Sequence, residues 1–264
     1  MKKLYDKSKI WFAVAWIIAY CVLMSLGDSI SSIIGVEKSI TLPIGVVLSI
    51  VLMAFLRKNG LFEEYGICPS RASMRSMLYY VPVLVMMTTN LWYGVTVNYG
   101  ALETVLYILS MLCVGLLEEV IFRGLLFEAM RPDGFKTAVI VSSLTFGIGH
   151  IVNLINGSGA ELVPNLLQVV YATSAGFMFV MIYCKTKSLV GCIVIHGVFN
   201  SLSVFADENG ASTGMRVLFC LILALITAAY GAYLALSLAK EREMNKTNEK
   251  AGRNDEADRT RALS

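Results

Sequence analysis

The chain has 264 residues, of which 56% are hydrophobic and 16% charged, with a formal net charge of +3. That balance is too apolar for an ordinary soluble domain, and the small net charge, with no interleaving of basic and aromatic residues, excludes nucleic acid as a partner. The apolar residues fall in long unbroken runs, which suit helices crossing a hydrocarbon layer of about 30 Å and lack the in/out alternation of a barrel strand.

The expected fold is therefore all-α, a polytopic membrane bundle of about eight helices in the lipid bilayer of the cell membrane. The lysine-rich start followed by WFAVAWIIAYCVLMSL reads as the first span, near 10–27, rather than as a cleaved signal. Further spans are expected near 39–56, 77–95, 102–127, 137–155, 164–184, 188–206 and 216–239. Basic residues gather in alternate loops: Lys2, Lys3, Lys7 and Lys9, then Arg57, Lys58, Arg71 and Arg75, then Arg131 and Lys136, then Lys185 and Lys187. The opposite loops hold Lys38 and Arg216, so the positive-inside rule predicts that both termini are cytoplasmic. One membrane domain, 1–239, is expected, followed by a polar tail, 240–264, with too few apolar side chains to offset its ordering entropy. The six cysteines show no metal-type spacing and read as small buried hydrophobes.

The fourth run contains LLEEVIFRGLLFEAM, with Glu118, Glu119 and Arg123 deep in a span where charge is costly and marks function. Glu119 and Arg123, at i and i+4 with the acid first, form a same-helix ion pair in the favourable orientation. A buried packing network is an equal reading of that pair. Glu118 points about 100° away and lacks this partner, which suits it to take a proton as a general base. The chain's two histidines, His150 in TFGIGHIVNLI and His196 in CIVIHGVFNSL, also fall inside spans. His196 and Asn200 share a helix face, and Phe146, four residues before His150, is either a cavity wall or an ordinary packing aromatic. Counted from the basic ends of their helices, the acid and both histidines lie about 12–20 Å deep at 1.5 Å per residue, so they can meet in one layer. That depth suggests access from the cytoplasm or the inner leaflet.

EEVIFR, FGIGH and HGVFN, in that order on successive helices, resemble the EExxxR, FxxxH and HxxxN motifs of the CAAX protease and bacteriocin-processing family, also called Abi, of intramembrane endopeptidases. The resemblance covers 101–206 and matches at Glu118, Glu119, Arg123, Phe146, His150, His196 and Asn200. It implies a helical membrane peptide hydrolase acting on membrane-associated or lipidated proteins or peptides. The reading that follows has Glu118 and His150 activating a water, His196 and Asn200 holding the oxyanion, and Glu119, Arg123 and Phe146 in support. It needs no cofactor. A zinc-dependent version would use Glu118, His150 and His196 as ligands, although no HExxH helix is present. A non-catalytic immunity or scaffold protein using the same cluster for binding is a reading of another class, and a proton- or ion-coupled transporter is a third.

Overall fold

The computed structural model describes residues 1–72, 81–92, 94–156, 161–207 and 212–262, with side chains described as far as 248. Arg75 and the first residues expected in the third span, 77–80, lie outside the described residues. The helices are α1 Lys2–Lys7, α2 Lys9–Ile34, α3 Thr41–Lys58, α4 Val81–Met87, α5 Ala101–Glu118, α6 Phe127–Met130, α7 Phe135–Gly149, α8 Leu162–Thr186, α9 Val190–Leu202 and α10 Thr213–Ala262. Between α5 and α6 the chain continues without a break as a π-helix, Glu119–Leu126.

Among the described residues, six segments are long and apolar enough to cross a membrane: Lys9–Ile34, Thr41–Lys58, Ala101–Asp133, Phe135–Leu154, Leu162–Thr186 and Thr213–Asn248. Two further apolar segments, Val81–Leu91 and Val190–Phe205, are shorter. The multi-pass helical membrane bundle expected from the apolar runs is therefore the fold. At 1.5 Å per residue Val190–Phe205 reaches about 24 Å, less than the hydrocarbon thickness, and Val81–Leu91 is the described part of the third segment. Their expected ends, near 95 and 206, instead form an extended contact. Val95 and Ala206 make an isolated antiparallel bridge, with Thr96 N–H on the Phe205 carbonyl at 3.0 Å. The backbone of 240–262 continues α10 as helix.

Local chemistry sets the helix ends. The Ser8 hydroxyl accepts from the Trp11 N–H at 3.2 Å as the cap of α2, and Gly35, at φ 77°, closes that helix in the left-handed conformation. Lipid supplies no hydrophobic drive between helices, so close packing decides which of them pair. At the α5–α9 crossing, a Cβ on Gly115 would lie 2.6 Å from the Gly197 backbone nitrogen. Two facing glycines therefore let these backbones touch, and that contact places Glu118 beside His196, since each lies within one turn of its glycine.

The buried core is concentrated toward the end that carries the termini. Leu52, Leu56, Tyr65, Phe127 and Leu189 are all buried there, and the Tyr5 and Tyr65 hydroxyls meet at 2.9 Å. Apolar side chains at the outer surface of the helices, including Ile18, Ile50, Leu84 and Leu225, are exposed as a lipid-facing surface requires.

Candidate active site

The π segment organises the site. A π turn carries i→i+5 hydrogen bonds, as between the Phe127 N–H and the Phe122 carbonyl, and such turns recur at functional sites. The Phe122 carbonyl is also taken by the Ser142 hydroxyl of α7 at 2.8 Å. The widened turn begins at Glu119, directly after Glu118. The two acids flank one imidazole: His196 Nδ1 lies 2.7 Å from Glu119 Oε1, and His196 Nε2 lies 3.4 Å from Glu118 Oε2. A carboxylate only accepts, so Nδ1–H donates to Glu119 and Nε2 is left facing Glu118.

Glu119 and Arg123 form the ion pair expected from their spacing, at 3.0 Å, and both are fully buried. The contact is ionic rather than an aligned hydrogen bond, because none of the three guanidinium nitrogens has a hydrogen-bond partner. The guanidinium lies 4.0 Å from the centre of the Phe146 ring, a cation–π position that adds to its compensation. Glu119 thus serves two partners, and its contact with His196 is more than the helix-stabilising pair anticipated from the sequence.

Glu118, turned away from Arg123 as the helix spacing predicts, has a partner from another helix. The Tyr20 hydroxyl, from α2, donates to Glu118 Oε1 at 2.7 Å. Its other oxygen, Oε2, has no protein hydrogen bond. His150 stands at the junction where α7 tightens into the 3-10 turn His150–Leu154. Its Nδ1 donates to the Phe146 carbonyl at 3.0 Å, and its own carbonyl accepts from Asn165 Nδ2 at 2.8 Å. The first bond fixes the ring, the second holds the backbone that carries it, and Nε2 is left as the nitrogen with a lone pair. Phe146 packs edge-on against both histidines, with centroids 5.1 Å from His150 and 5.7 Å from His196. Phe179 stacks on His196 at 5.5 Å and 18°.

Glu118, Phe146, His150, His196 and Asn200 all line one cavity of about 320 Å³, which Tyr20 and Phe179 also line. Glu119 and Arg123 stand behind that wall. Tyr20, Phe179, Asn165 and Ser142 escaped the sequence reading. Nothing in the first span distinguishes Tyr20 from an ordinary buried tyrosine until α2 is packed against α5. Among the described residues no three His, Cys, Asp or Glu side chains are grouped to hold a metal ion. Each histidine has Nδ1 on a carbonyl or a carboxylate, which leaves Nε2 of both on the cavity side with a lone pair.

Residues 100–202 match the family described as Type II CAAX prenyl endopeptidase Rce1-like. The matched segment holds every residue singled out from the three motifs. A similar protein of Bacillus subtilis (strain 168), named "Putative membrane peptidase YdiL", is 31% identical over 98 residues, which cover 37% of this chain and 35% of that protein. The alignment thus spans about a third of each. No solved structure matches the chain.

Proposed function

We propose that this protein is an intramembrane endopeptidase that hydrolyses a peptide bond of a membrane-associated substrate. The observation that carries the reading is the divided role of the Glu118 carboxylate. Oε1 is held by Tyr20, while the buried Oε2, without a protein partner, stands in the cavity 3.4 Å from His196 Nε2. The Rce1-like character of 100–202 supports the same reaction class.

In this reading a water on Oε2 gives its proton to Glu118 as its oxygen adds to the scissile carbonyl. The C=O becomes C–O⁻. His196 Nε2, when it carries a proton, and Asn200 Nδ2 donate to that oxyanion, where fixed donors in a water-poor site are most effective. Phe179 and the Glu119 carboxylate hold the imidazole in place before the charge develops. The C–N bond then breaks, and the leaving amine takes a proton from Glu118, directly or through His150. Proton transfer by such a positioned side chain contributes about 10²–10⁴-fold. The products are a free carboxylate and a free amine.

The experiment compares the termini of membrane and surface proteins in cells carrying the native protein or Glu118→Gln. The variant keeps the side chain's shape and its bond from Tyr20 but cannot take the proton. New termini that depend on Glu118 are expected. Full biological function in Glu118→Gln overturns hydrolysis and favours the binding or immunity role.

A further inference from the structure

The cavity has a direction. Hydrogen bonds show which connections share an end of the bundle. The Glu37 N–H donates to Glu103 Oε1 at 3.0 Å, tying the α2–α3 connection to the first turn of α5. The Ser29 hydroxyl donates to the Asn156 carbonyl at 2.9 Å, and Asn98 Nδ2 donates to the Val204 and Ala206 carbonyls, each at 2.9 Å. The segments after α7 and α9 therefore lie at this same end. The opposite end gathers the basic loops: Lys9 pairs with Glu64 at 2.6 Å, and the Arg71 N–H donates to the Thr186 carbonyl at 2.9 Å.

From Glu118 and Tyr20 the cavity wall runs, among the described residues, toward the first of these ends, through Ser25 to Asp28, Lys38 and Thr41 and, across from them, to Asn153 and Asn156. Toward the basic loops the path is filled by described side chains of the π segment and of α8. Every side chain from Glu119 to Phe127 is buried, as are those from Met178 to Cys184. Depth counted from helix ends, which suggested cytoplasmic access, says how far a group lies from each surface. It does not say which of the two directions is packed shut.

We propose that the peptide segment reaches Glu118 from the end of the bundle opposite the basic loops, and that the substrate is an extended stretch of polypeptide on the extracytoplasmic side or in the outer leaflet. The side follows from the positive-inside rule applied to the basic loops. The substrate class rests on the hydrolase reading above, whereas the route rests on the cavity alone. Tyr20 to Asp28 is eight residues of α2, or about 12 Å, which holds about four residues of extended chain. The outer wall presents amides, Asn153, Asn156 and Gln168, rather than an apolar groove, so it suits peptide groups better than a lipid tail. The rim is braced: Lys38, in the left-handed conformation at φ 59°, pairs with Asp28 at 2.8 Å and Glu37 at 3.2 Å, and the Thr41 hydroxyl donates to Asp28 at 2.7 Å.

Cys21 lines this cavity beside Tyr20, and Ser25 lies one turn nearer the rim. The test labels the native protein and the Ser25→Cys variant with a membrane-impermeant sulfonated maleimide, in right-side-out and in inverted vesicles, and locates the label by peptide mass spectrometry. A protease-accessible tag on a terminus reports the orientation of each preparation. Residue 25 and, more slowly, Cys21 are expected to label from the face opposite the termini, several-fold faster than from the other. Faster labelling from the face of the termini overturns the proposal. So does labelling by a permeant maleimide with none by the impermeant one from either face. The same labelling in Glu118→Gln is expected, because access needs no chemistry. Glu118-dependent cleavage with the wrong labelling pattern sinks the route alone, and the right pattern without such cleavage sinks the hydrolase reading alone.

Discussion

Replacing Tyr20 by Phe removes one oxygen atom from the site and tests whether the first span takes part in the chemistry. The ring stays, and only the 2.7 Å bond to Glu118 Oε1 is lost. A hydrogen bond to a charged group contributes about 1.5–3 kcal/mol. If that bond holds Glu118 in the orientation that presents Oε2 to water, its loss corresponds to a fall in kcat of roughly 10- to 100-fold, at about 1.4 kcal/mol per tenfold. Because Tyr20 acts through the carboxylate, KM should change far less than kcat. The assay uses purified protein in liposomes and the peptide substrate identified by comparing cellular termini, with thermal unfolding measured in parallel. In a double-mutant cycle, Tyr20→Phe should add almost nothing to the loss already caused by Glu118→Gln, since both act through one group. A folded Tyr20→Phe protein that turns over at the native rate, or losses that simply add, would refute the role given to this contact.

Further outcomes follow from the same geometry. Arg123→Met leaves the Glu119 charge buried with only His196 beside it and should cost about 3–5 kcal/mol, read as a lowered melting temperature in detergent. Arg123→Lys should recover only part of this loss, because a compact ammonium does not reproduce the guanidinium held 4.0 Å from the centre of Phe146. Gly115→Val drives a side chain into the Gly197 backbone at the α5–α9 crossing, and the overpacking should cost about 1–3 kcal/mol and reduce cleavage by separating Glu118 from His196. At the cavity rim, burial pulls the Lys38 ammonium down, but the Asp28 and Glu37 carboxylates outweigh it and the pKa is raised. The stability contributed by this pair should therefore be complete below the ordinary lysine range and lost as pH rises through the raised value, a dependence that Lys38→Met removes. Cleavage should survive chelation, measured alongside metal analysis of the purified protein, and stoichiometric zinc lost together with activity would overturn the metal-independent mechanism.

The motif residues were legible because the membrane makes polar groups conspicuous. Glu118, Glu119, Arg123, His150, His196 and Asn200 stand out in apolar runs, and the ordered motifs gather them before any fold is known. The same argument cannot find Tyr20, since an aromatic with a polar tip is unremarkable in a span and lies outside the segment that carries the motifs. Nor can it find the π turn, whose Phe122 carbonyl also accepts from Ser142 of another helix.

Hydropathy alone determined the helical bundle, since a chain in lipid must satisfy its backbone internally and each long apolar run therefore becomes a helix. It carried the ends of the third and seventh segments too far, where helix gives way to an extended contact between 94–98 and 204–207. Spacing along one helix also predicted the Glu119–Arg123 pair, a local i, i+4 interaction. Only the tertiary structure decided that both acids serve one imidazole, that Tyr20 holds Glu118, and that the cavity is filled on one side. Each of these depends on contacts between residues far apart in the chain, which the helix period does not constrain.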